Sequence, residues 1–197
     1  ATLGRQFSSV LLCKACNLSE DVVAQHVDDA IQLQILAPLS TPKKLAQQSE
    51  LARYTVDLAF THDKIREVLY QGLNPLRRRT LHRQAAQAIE ALYTPYLTPY
   101  YSTLALHYQM TEEYTNAIYY HVKAAEQAFS VYAFHDAANH MENVLALHIG
   151  NDARPRRAEI LQQLASEVYL YLGFTDKSID AGLAACALWQ ELGNPVK

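Results

Sequence analysis

The sequence predicts a mainly α-helical chain in two parts, a small helical module holding one short strand and then a run of helical hairpins. Three observations carry this expectation. Residues 54–60 alternate apolar and polar and run straight into a helical pattern, Gly72-Leu73-Asn74-Pro75 punctuates the chain, and beyond Tyr100 small residues recur at helix-crossing intervals.

Taken in order, residues 1–17 read as a helix, because Leu3, Phe7, Val10 and Leu11 fall at helical spacing. Ser19 then caps a second helix with Glu20 and Asp21 in its first turn, and Val23, Val27, Ala30 and Ile31 line its core face. Pro38 and Pro42 break the chain before a Gln-rich connector. In the strand, Tyr54, Val56, Leu58 and Phe60 share one face while Thr55, Asp57 and Ala59 share the other. Thr61 follows as a capping hydroxyl and Asp63 complements the helix dipole. Ile65, Val68, Leu69 and Leu73 continue at helical spacing. Helix, helix, strand and helix in this order suit a winged-helix-like module over residues 1–74, with one strand of the wing evident.

Asn74 is placed to cap the next helix with Pro75 at its first position, so the domain boundary is expected here. Leu81, Ala85, Ala88 and Leu92 form a stripe on the new helix, while Arg77, Arg78, Arg79 and Arg83 crowd its start. Cations there oppose the helix dipole, which calls for a carboxylate or phosphate neighbour, or else for plain solvation.

Residues 75–197 read as an irregular helical repeat array. Ala105, Ala117 and Ala124 stand twelve and then seven residues apart, and Ala125, Ala137 and Val144, then Ser166, Ser178 and Ala185, repeat those steps. The spacing resembles the small-residue positions of the tetratricopeptide repeat. Asp136 to Leu147 is similar to a repeat's second helix, with Leu172-Gly173 as a later hairpin turn. Because Ala124 and Ala125 are adjacent, one long helix over about 113–131 must serve two hairpins.

Hydrophobic residues make up 50% of the 197 positions and charged residues 19%, which describes a chain that folds. Seventeen Lys and Arg against 20 Asp and Glu give a net charge of −3, so a broad nucleic-acid footprint is not expected. The second helix presents Glu20, Asp21, Asp28 and Asp29, which argues further against reading a DNA groove. Apolar runs are interrupted too often for a membrane span, and a cytoplasmic location is expected. Cys13 and Cys16 offer half a zinc site at most and are expected to be buried thiols. Both ends read as cut, as in an excised fragment. No phosphate-binding loop of the Gly-x-x-x-x-Gly-Lys-Ser/Thr type and no catalytic constellation is legible, so no enzymatic activity is expected of this segment.

The run Phe60-Thr61-His62-Asp63-Lys64-Ile65-Arg66-Glu67-Val68-Leu69-Tyr70, followed by Leu76 to Arg83, resembles the Met-His-Asp segment of STAND signalling ATPases. The likeness is to the bacterial branch that includes LuxR-type and maltose-activator-type transcriptional regulators. Thr61 stands where that family has methionine. The resemblance implies that His62 senses the β-phosphate of bound ADP, with Asp63 beside it and Arg66, Arg77, Arg78 and Arg79 as interdomain or phosphate contacts. ADP or ATP would be held by an NTPase domain outside this segment, which itself holds no cofactor and no metal. An inducer or protein partner would bind the helical arm, and nucleotide exchange would allow self-association.

Thirteen tyrosines are a further peculiarity, several of them clustered from Tyr93 to Tyr120. Tyr100, Tyr101, Tyr108 and Tyr119 are candidates for a partner groove, with hairpin packing as the alternative. Two other functions stay open: a tetratricopeptide-type interaction scaffold in which His62 plays no part, and a winged-helix DNA binder, which the acidic second helix disfavours.

Overall fold

The computed structural model describes residues 1–39, 56–147 and 154–193. The fold is mainly helical, with a small three-stranded sheet near the N-terminus. It divides into two compact units, Ala1–Pro95 and Tyr96–Lys197.

The first unit begins with strand β1 (Gln6–Ser8) and helices α1 (Ser9–Cys16) and α2 (Glu20–Gln32). Strands β2 (Leu36–Pro38) and β3 (Asp57–Phe60) follow, then helices α3 (Asp63–Gln71) and α4 (Pro75–Tyr93). β3 lies in the middle, antiparallel to both neighbours, with Leu58 opposite Phe7 and Ala59 opposite Ala37. The last strand in sequence is thus the middle one of the sheet, bonded to β1 on one side and β2 on the other.

Residues 1–8 are not helical, contrary to the expected first helix. Gly4 takes a left-handed φ of 98°, and Phe7 enters the sheet, where its ring lies 6.0 Å from that of Phe60. Helix α1 therefore starts at Ser9, and the Ser8 hydroxyl caps it by accepting from the Leu11 amide at 3.2 Å. The core of this unit joins Phe7, Leu36, Leu58 and Phe60, with Val27, Ile31 and Ile65 packed against them. Leu58, Ala59 and Phe60 are all buried, as suits a central strand covered on both faces. Val56 is 49% exposed, so the expected alternation does not reach back to it, and Tyr54 and Thr55 lie outside the described residues.

Asn74 and Pro75 open α4 as expected: the Asn74 carboxamide accepts from the Arg77 amide at 2.8 Å. Yet α4 packs on α1 and belongs to the first unit, which extends to Pro95 and past the expected boundary at Asn74. The buried stripe of α4 is His82, Ala85, Ala86, Ala88 and Ile89.

The second unit contains α5 (Tyr101–Met110), α6 (Tyr114–Ser130) and α7 (Phe134–Leu147). A further helix runs as α8 (Arg154–Gln163), widens into a π-helical stretch (Leu164–Tyr169), and turns at Leu172-Gly173 into α9 (Thr175–Glu191). As expected, α6 is long and packs on both α5 and α7. Ala105, Ala117 and Ala137 are fully buried, and Ala124, Ala125 and Val144 nearly so, because helix backbones approach closely at these positions. The third small-residue set is offset. Ser166 is exposed, and it is Ala165 that faces Gly182 across the last hairpin. The π turn shifts the register by one residue there.

Candidate functional site

His62 ends the extended segment after β3 and is the N-cap of α3, with an exposed ring. Its carbonyl accepts from the Ile65 amide at 3.1 Å, while its imidazole has no hydrogen-bond partner among the described residues. Asp63, the first helical residue, is bound from two sides: Arg5 reaches it at 3.3 Å and Arg66 at 3.9 Å. Two guanidinium groups thus offset one carboxylate, and the helix terminus presents no net negative charge to a neighbouring group. Thr61 does not cap the helix. Its hydroxyl donates backward to the carbonyl of Gln34 at 2.6 Å, tying β3 to the turn after α2.

The arginines at the start of α4 separate in role. Arg78 turns back to α3: Nε donates to the Leu73 carbonyl at 2.9 Å and a terminal nitrogen donates to the Gln71 carbonyl at 2.7 Å. Its guanidinium lies 4.8 Å from the centre of the Tyr70 ring. The carbonyl end of α3 is therefore the partner that the sequence left open, and Arg78 is occupied in the fold. Arg77 is exposed, whereas Arg79 is half-buried and already engaged. Beside them the Tyr70 hydroxyl meets Nε2 of the buried His82 at 2.9 Å, pinning α3 to α4, and burial lowers the His82 pKa.

In the second unit the tyrosines pack between α5 and α6. Tyr108 and Tyr120 are buried and stack at 5.6 Å with rings nearly parallel, and Tyr101 lies 6.1 Å from Tyr120. Tyr119 is 55% exposed and meets Tyr120 edge-on, while Tyr100 is half-buried and engaged. Of the four candidates for a groove, only Tyr119 offers most of its ring to solvent. Hairpin packing is the role observed for Tyr101 and Tyr108.

One polar cluster escaped the sequence reading. The Nδ1 atoms of His121 on α6 and His140 on α7 are 2.9 Å apart, His121 Nε2 meets the Gln109 carbonyl oxygen at 3.1 Å, and His140 Nε2 meets the Ser102 hydroxyl at 3.0 Å. With both rings neutral the bonds run one way. Ser102 donates to His140, His140 donates to His121, and His121 donates to Gln109. Burial, with His140 beside it, brings the His121 pKa down to about 4, and burial also lowers that of His140. The signal was available: His121 follows Ala117 by four residues and His140 follows Ala137 by three, so both sit on crossing faces.

Among the described residues no group of three or more His, Cys, Asp or Glu is placed to hold a metal ion. Cys13 is half-buried and Cys16 exposed, so the expectation of buried thiols fails for Cys16. Among the same residues no helix is long and apolar enough to cross a membrane. No protein-family model, curated protein or solved structure matches the chain.

Proposed function

We propose that this chain is a regulatory segment of a STAND-type ATPase or transcriptional regulator, in which a winged-helix-like unit reads the nucleotide and a helical arm receives the effector. One observation carries the reading. The exposed His62 stands at the start of α3, where the only carboxylate of the first turn is held by Arg5 and Arg66. A helix N-terminus whose acidic residue is thus offset suits an anionic phosphate, and the imidazole has its hydrogen-bonding capacity to spare. In this mechanism an NTPase domain elsewhere in the full-length protein holds ADP, and His62 contributes one contact to its β-phosphate in the closed state. ATP exchange removes that contact and frees the molecule to self-associate.

The test is His62→Ala in the full-length protein. Loss of a charge-assisted hydrogen bond of about 1.5–3 kcal/mol should weaken ADP retention roughly ten- to a hundred-fold and raise basal output. Wild-type ADP affinity together with wild-type inducer dependence would reject the reading. A second reading is an interaction scaffold, favoured by Val131, Tyr132, Leu170 and Tyr171, which expose 65–79% of their surface at the turns of the second unit.

A further inference from the structure

In the second unit a cavity of about 410 Å³ opens beside α6, α7, α8 and the π-helical stretch. Phe129, Met141 and Ile160 supply its apolar floor, and Glu126, Arg156 and Glu167 stand at its polar side. The volume lies at the lower end of small-molecule sites, so a compact ligand fits it.

The charges around the cavity are not equally free. Arg156 is bound to Glu159 at 2.8 Å, and Glu126 receives Lys123 at 2.8 Å. Among the described residues Glu167 receives only the Gln163 amide, at 3.4 Å. The uncompensated charge beside the apolar floor is therefore negative and belongs to Glu167. The Phe129 ring attracts a cation placed over its face, and the flexible Met141 side chain adapts to an apolar body beside it. Independently of these charges, Glu167 lies within the six-residue π stretch Leu164–Tyr169. Such widened turns are rare overall and are frequent at functional sites.

We propose that this cavity binds a small amphipathic organic cation, with its apolar body on Phe129, Met141 and Ile160 and its ammonium group at Glu167. The chemical class deepens the reading of the arm as the effector-binding part and rests on it for its regulatory meaning. Binding to the chain alone tests it without the nucleotide domain, so failure here would leave the His62 reading standing.

The probes are 4-phenylbutylammonium, 4-phenylbutyrate and 4-phenylbutanol, which share one body and differ in charge. They are titrated at low ionic strength against the 197-residue chain by calorimetry and by methyl NMR of the two methionines. The Met141 methyl signal should shift while that of Met110 stays. The ammonium probe should bind about tenfold more tightly than the carboxylate, and Glu167→Gln should cut its affinity about tenfold while leaving the alcohol unchanged. Glu167 is exposed, so this isosteric change leaves the fold intact. Equal binding of both ions, an ammonium affinity that survives Glu167→Gln, or no binding of any probe would overturn the proposal.

Discussion

Arg78 lies in the first turn of α4, where its charge opposes the helix dipole, yet it bonds two carbonyls at the end of α3 and covers the Tyr70 ring. One guanidinium thus serves two helices. Arg78→Ala should destabilise the first unit by about 1–3 kcal/mol, because two charge-assisted bonds to carbonyls vanish together. Arg78→Lys should recover less than half of that, since an ammonium lacks the planar fork that spans both oxygens. Chemical denaturation of the three proteins checks the order. At this scale the sequence was legible wherever a residue acts on its own neighbours, as Asn74 does in capping α4. It was not legible where a side chain reaches to another element. The Thr61 hydroxyl is spent on Gln34 and the Arg78 fork on α3, and neither partner is fixed by local spacing.

Elements show a similar division. Helices were readable because a stripe repeats over three or more turns, and α2, α3, α4 and the long α6 all lie where their patterns put them. Strands β1 and β2, at three residues each, are too short to display an alternation, so β3 alone gave the sheet away. The crossing helices of the second unit supply a sharper test of register. Ala117 and Ala137 have no exposed surface, and replacing either with Leu should cost about 1–3 kcal/mol by overpacking. Ser166, assigned to an equivalent position by spacing, points to solvent instead. Among the described residues its hydroxyl bonds only back to the Gln162 carbonyl, so Ser166→Leu should change stability by less than about 0.5 kcal/mol. If Ser166→Leu were as damaging as Ala117→Leu in urea titration, the π stretch would not have displaced the register.

For the whole molecule three imidazoles shielded from solvent, His82, His121 and His140, matter most, because they occur in both units and their protonation states are coupled to folding. His82 is held between α3 and α4 by Tyr70, and His121 and His140 complete a one-way chain of hydrogen bonds between α5 and α7. Burial disfavours the charged form of all three, although Asp136 partly opposes this at His140. Their folded pKa values therefore lie below those of the unfolded chain, which binds more protons in the window between. The contribution to stability is complete above the unfolded value of about 6.5 and is lost as pH falls toward the folded values, near 4 for His121. Each imidazole adds up to about 1.4 kcal/mol per pH unit in that window. A second proton on the His121–His140 pair would also place two N–H donors against each other and break the bond between α6 and α7. Between pH 7 and pH 5.5, before most carboxylates titrate, urea unfolding should show stability falling with pH. The second unit, where both His121 and His140 resist protonation, should respond more steeply than the first, where His82 does. His121→Gln should flatten the slope of the second unit while leaving that of the first unchanged. A stability that is level across this range would mean that the imidazoles are solvated in the folded chain and that the hydrogen-bonded chain through Ser102 and Gln109 does not form.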